Sequence, residues 1–333
     1  MSRFRRAAWL ALGVVCLAWA GPALADPPAE KKAEPKKKPE PNRFLRVKRD
    51  KNDTPVALET AVVRYVPASG QGGVTVDLIG AVHVGDKAYY EALNKQMEQY
   101  DVLLYELVAK EGTRIPKGGK REKDNPLSMI QDLVKTVLDL ESQTELIDYQ
   151  AKNFVDADLS PEKMAEAIKE RGDDGLTIAL SVAADLLRKQ NLEEIKKGKE
   201  PPKGKKGKED DEPDLMGMLL DPNAAVKLKR AMAEQFETAG DDGGLGPTIG
   251  TILVADRNKA ALKVLQKEMA KGKKKIAIFY GAAHMPDFEK RLAEDFDLKK
   301  DKTEWVTAWD LKPRRVGTPP LLKLLDQLDK LDR

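Results

Sequence analysis

Cysteine is all but missing from these 333 residues, with Cys16 the only one. It lies inside the apolar stretch Ala7 to Ala20, which follows a basic start holding Arg3, Arg5 and Arg6 and precedes Gly21-Pro22-Ala23-Leu24-Ala25. A basic start, a short apolar run and an Ala-x-Ala close form the three-part layout of a secretory signal, so residues 1–25 are expected to be cleaved and the protein exported to the periplasm or secreted. The apolar run of 14 residues is short for a membrane span, and membrane contact is expected only if the segment stays uncleaved. Val15 stands before Cys16 where lipid attachment would want a small residue. Cleavage removes the one thiol. That excludes disulfides and zinc-thiolate sites, leaving imidazole and oxygen to hold any metal.

Net charge is the second absence. The formal +3 comes from the three leader arginines, and beyond Ala25 the chain carries 55 basic against 55 acidic residues. With no overall field to attract polyanions, no nucleic-acid partner is expected.

Histidine is the third, with two in the whole chain. Both occupy the same short phrase, Gly80-Ala81-Val82-His83-Val84-Gly85-Asp86 and Gly281-Ala282-Ala283-His284-Met285-Pro286-Asp287. Each phrase follows a short apolar run and precedes a helical pattern. The match reads as an internal duplication of one strand-turn-helix unit with an imidazole at the turn, and so as a site built from two halves.

Residues 26–52 begin with a Pro, Lys and Glu-rich run that has too little apolar surface to offset the entropy of ordering, and they are read as a disordered spacer. A similar run at 196–214 is read as a disordered surface loop. The main domain is expected over 53–313, with a helical insertion at about 120–245. Strands are expected at 59–66, 74–79, 102–107, 275–280 and 305–309 from their β-branched content and turn boundaries. Helices are expected at 87–98, with Tyr90, Leu93 and Met97 on one face, and at 127–140, 161–171, 177–188 and 224–236. A further helix should carry Phe288, Leu292 and Phe296. Ser160 and Pro161 are start signals for the helix that follows them. Residues 314–333 read as an amphipathic helix. Strands joined through helices imply an α/β fold: a mostly parallel, mixed sheet assembled from N- and C-terminal strand-turn-helix repeats around an inserted helical block.

Ligands of such sheets collect at the carboxyl ends of strands, where His83, His284 and Glu106 all fall. Two imidazoles and a carboxylate are a reasonable set for a catalytic divalent metal, since three protein ligands leave a position for water. Asp86 and Asp287, three residues after each histidine, are read either as helix caps or as acceptors that orient the imidazoles, capping being favoured. Arg257 lies on the apolar stripe of Val254, Ala261, Val264 and Leu265. An inward arginine needs an anionic partner. Its two readings are a structural ion pair, with Glu106 or an aspartate, and a guanidinium aimed at a substrate carboxylate or oxyanion.

Taken together, Gly80-x-x-His83, Tyr105-Glu106 after the third strand, Arg257-Asn258 on a late helix and Gly281-x-x-His284 resemble the TraB/GumN family, related to the Tiki proteases. The resemblance covers about residues 57–110 and 250–312. It implies a fold of the erythromycin-esterase and ChaN type, and metal-dependent peptide hydrolysis with manganese or cobalt. His83, Glu106 and His284 then match the metal and catalytic set, and Arg257 matches the helix arginine. The chain departs from the pattern in its Lys-rich insertion, in Met285-Pro286 and in Tyr280.

The leading expectation is an exported, peptidase-like metallohydrolase acting on a peptide or protein, with manganese, cobalt or zinc in a His83/Glu106/His284 site and Arg257 steadying the oxyanion. One alternative is a non-catalytic protein of the same fold that binds haem, metal or peptide. Another is a metal-free esterase using an imidazole as general base.

Overall fold

The computed structural model describes residues 44–70, 73–109, 135–170, 220–238 and 254–313, with single positions between 112 and 118 and between 319 and 326. Its core is one seven-stranded mixed sheet with helices on both faces.

Strand β2 (Pro55–Pro67) organises one side of this sheet. Its first half pairs antiparallel with β1 (Leu45–Arg49), and Val62 to Tyr65 pair antiparallel with β3 (Thr75–Ala81). Its other edge pairs along nearly its whole length with β9 (Leu298–Asp310). Beyond β3 the pairing becomes parallel, to β8 (Lys275–Gly281), then β5 (Val102–Tyr105), then β7 (Phe154–Asp156). Only β2 runs against the other six. A separate ribbon pairs β4 (Val84–Gly85) with β6 (Glu141–Ser142).

The central strands are buried on both faces, which explains their nearly continuous apolar sequences. Alternation divides the side chains. Val62, Ile79, Leu103, Ala277 and Phe279 face one core, while Val63, Leu78, Leu104, Ile276 and Ile278 face the other. Tyr90, Leu93 and Met97 of α1 (Lys87–Met97) fill the first core at the spacing read from sequence. The short α2 (Gln143–Leu146) and α3 (Pro161–Glu170) follow in the segment after β5. Ser160 Oγ accepts the Lys163 N–H at 3.3 Å and so caps α3. Ala233 of α4 (Ala224–Thr238) joins the first core. The second core is covered by α5 (Asp256–Ala270) through Ala261, Leu262 and Leu265, and by α6 (Met285–Phe296) through Met285, Phe288 and Leu292. Each of the last three is fully buried, worth roughly 1.5–3 kcal/mol apiece.

The positions of α1 and α6 determine where a site can form. Strands β3 and β8 lie side by side in register from Thr75↔Lys275 to Ala81↔Gly281. The chain leaves β3 for one face of the sheet and β8 for the other. Divergent exits from adjacent parallel strands open a crevice at their carboxyl ends, the usual ligand position in open α/β sheets.

Three expectations need correction. Ordered structure starts before residue 53, because Phe44 is fully buried and β1 adds to the edge of β2. The middle of the chain is not wholly helical: β6 and β7 lie within it, and β7 extends the main sheet. The last strand begins at Leu298 rather than 305, since its lysine-rich first half faces solvent while its backbone satisfies the edge of β2. The expected signal segment, the 177–188 helix and the 196–214 loop lie outside the described residues, as do residues 127–134 of the expected 127–140 helix and most of 314–333. Among the described residues no helix is long and apolar enough to cross a membrane.

Candidate functional site

Five segments meet at the crevice. His83 follows β3, Glu106 follows β5, Asp158 lies two residues beyond β7, and His284 ends the 3-10 turn Ala282–His284 after β8. Arg257 and Asn258 come from the first turn of α5. At the centre is the bare backbone of Gly281. A Cβ there would lie 3.4 Å from Glu106 Oε2, 3.8 Å from His284 Cδ2 and 3.9 Å from His83 Nε2. Three side chains from three strand ends thus converge on the face of Gly281, where an added methyl would touch all three.

Glu106 is tied at both oxygens. Oε2 accepts the Gly281 N–H at 2.8 Å, and Oε1 accepts a hydrogen bond from Arg257 Nη2 at 2.7 Å. Burial would raise its pKa, but the imidazole of His284, the guanidinium of Arg257, the Gly281 N–H and His83 outweigh that penalty and hold it below the ordinary carboxylate value. Arg257 also grips Asp158, through Nε at 2.9 Å and through Nη2. The Asp158 side chain has no solvent exposure. The inward arginine therefore sits in a buried Glu–Arg–Asp array. Two carboxylates share its guanidinium through Nε and Nη2, which favours the ion-pair reading. Asp158 was not legible as a site residue. Its strand has three residues, and its place is set by two backbone contacts: the Ala157 N–H donates to Tyr105 O at 3.2 Å, and Tyr280 Oη donates to Ala157 O at 3.0 Å.

The two imidazoles differ in setting. His284 is buried at 5 % exposure, serves as N-cap residue of α6, and meets the rings of Tyr280 and Phe288. Its Nδ1 lies 2.7 Å from Asn258 Oδ1, and its Nε2 is 3.7 Å from Glu106 Oε1. Burial lowers its pKa to about 4, against the opposing pull of Glu106, so the ring is neutral at pH 7. His83 is exposed, and it is anchored through its carbonyl, which accepts the Gln143 N–H at 2.9 Å.

Asp86 and Asp287 part company too. Asp86 makes no side-chain cap on α1 and no imidazole contact among its hydrogen bonds; it accepts the Asp310 N–H and lies 3.3 Å from the buried Lys229 Nζ, joining α1 to β9 and α4. The capping expectation fails there because β9 passes close enough to claim the carboxylate. Asp287 accepts from Asn258 Nδ2 at 2.9 Å and from Arg291 Nε at 2.7 Å. It reaches His284 at one remove, through Asn258, whose own role the sequence did not disclose.

Among the described residues no group of three or more His, Cys, Asp or Glu side chains is placed to hold a metal ion. The donor set fits a divalent ion in its chemistry: one ionised carboxylate, one neutral buried imidazole and one exposed imidazole around the open face of Gly281. A scan against protein-family models and searches of curated proteins and of solved structures find no match to the chain.

Proposed function

We propose that this protein is an exported metal-dependent hydrolase, peptidase-like, of the TraB/GumN (Tiki-like) type, with His83, Glu106 and His284 holding a manganese, cobalt or zinc ion. The observation that carries this reading is the convergence of those three side chains on bare Gly281 at the crevice between β3 and β8. A divalent ion held there supplies Lewis acidity and lowers the pKa of a water molecule toward neutrality.

The chain's own groups account for the remaining requirements of amide hydrolysis. Glu106, kept ionised by Arg257 and the Gly281 N–H, is the proton acceptor and can return that proton to the leaving amine. Arg257 positions Glu106 by anchoring Oε1 to Asp158. His83 stands at the solvent-facing side, where a peptide would enter. Residues 1–25 support export.

The test is metal analysis of the purified mature protein joined to a broad peptide-cleavage screen. About one divalent ion per chain is expected, with both ion and cleavage lost in His284→Ala. Unchanged metal content in that variant would refute the assignment. A metal-free esterase with His284 as general base is the second reading, favoured by its 3.7 Å approach to Glu106. Full activity after exhaustive chelation would select it.

A further inference from the structure

Asn258 is fully buried on α5, and its amide has only one workable orientation. Nδ2 lies 2.9 Å from the His284 carbonyl oxygen and 2.9 Å from Asp287 Oδ2. Neither a carbonyl nor a carboxylate oxygen can donate, so the NH2 group must face them. Oδ1 is thereby turned to His284 Nδ1 at 2.7 Å, and the proton in that contact must sit on the imidazole. Asp287 is itself held by Arg291 Nε at 2.7 Å. The chain Arg291, Asp287, Asn258, His284 thus runs from a part-exposed arginine on α6 to the buried ring.

We infer that Asn258, backed by Asp287 and Arg291, is a positioning residue that locks His284 as the Nδ1–H tautomer and so presents an Nε2 lone pair to Glu106. Nε2 lies 3.7 Å from Glu106 Oε1, too far for a direct hydrogen bond, so the two atoms can share a ligand placed between them. This deepens the metal-site reading and rests on it for its functional meaning, although the tautomer itself does not depend on any ion. It also names the coordinating atom, Nε2, and explains why the buried imidazole needs a partner on its far side.

The scarcity of histidine makes the test direct, since the chain holds two imidazoles. The full chain, labelled with 15N-histidine and stripped of metal, is observed by long-range 1H–15N correlation at neutral pH, with His83→Ala identifying the His284 signals. A protonated Nδ1 and an unprotonated Nε2 are expected. Asn258→Leu should convert this to a mixture of tautomers and weaken Co(II) or Zn(II) binding about 10–100-fold. An Nε2–H tautomer, or an interconverting mixture in the unmutated protein, overturns the inference even if Asn258→Leu fails to fold. A locked Nδ1–H ring whose Nε2 signal is unmoved by Zn(II) upholds the tautomer lock and refutes the metal assignment, so the two failures are separable.

Discussion

The two histidine units share a phrase but not a setting. In the first, His83 is exposed, two residues beyond β3 and four before α1, and its contact with the body is through its carbonyl. In the second, His284 is buried in a 3-10 turn that runs directly into α6, with the rings of Tyr280 and Phe288 beside it and its Nδ1 held by Asn258. Similar local sequence therefore yields one solvent-facing imidazole and one fixed imidazole. The difference comes from what packs behind each turn: the small β4–β6 ribbon in one case, α5 and its Arg257-Asn258 pair in the other.

The largest expected effect lies behind the second unit. Arg257→Ala leaves Asp158 buried without its guanidinium, and removal of one partner from a buried ion pair costs about 3–5 kcal/mol. Urea unfolding should show a loss of that size, and a change below about 1 kcal/mol would mean that the array contributes little.

The histidines themselves give the next contrast. His284→Ala should cost about 1–3 kcal/mol, because it strips a partner from buried Asn258, whereas His83→Ala should stay within about 0.5 kcal/mol. Equal costs in urea unfolding would erase the distinction between the two settings.

Glycine substitution separates site from scaffold. A Cβ on Gly85 would come 3.0 Å from Cδ1 of the buried Tyr89 ring, so Gly85→Ala crowds the core and should destabilise by about 1–3 kcal/mol. Gly281→Ala places its methyl among Glu106, His83 and His284 and should weaken Co(II) binding about tenfold at smaller cost in stability. Isothermal titration with Co(II), alongside urea unfolding, reads both quantities.

A further contrast is one of pH. His284 titrates at about 4 in the folded protein against 6.5 for a free imidazole, so the unfolded chain takes up the proton first. The associated stability is present in full above pH 6.5 and drains away as pH falls toward about 4. Unfolding free energies measured across that window should lose part of their slope in His284→Ala and keep it in His83→Ala; identical slopes would place the neutral ring elsewhere.

How much of this was legible follows from the range of each interaction. Helix α1 announces itself through Tyr90, Leu93 and Met97, and β3, β5 and β8 through compact apolar runs, because those patterns are local. Arg257 betrayed its burial by standing on an apolar stripe. Strand β7, three residues long, carried too weak a pattern, and Asp158 went unseen with it. The first half of β9 is lysine-rich and carries no strand pattern of its own, since its pairing with the edge of β2 is what makes it a strand. Asp86 looked like a cap because the proximity of Asp310, 224 positions later, is invisible in one dimension.

The sequence by itself determined the inventory: no thiol after residue 25, two imidazoles in matching phrases, balanced charge, and apolar runs suited to a sheet covered on both faces. Tertiary structure alone decided that β3 and β8 lie next to each other, that their chains exit to opposite faces, and that Arg257 binds carboxylates while Asn258 orients an imidazole. The physical reason is separation along the chain. Periodicity reports which side of an element is buried, but hydrogen bonds spanning 26 to 151 residues depend on how the elements pack, and that information is spread over the whole sheet.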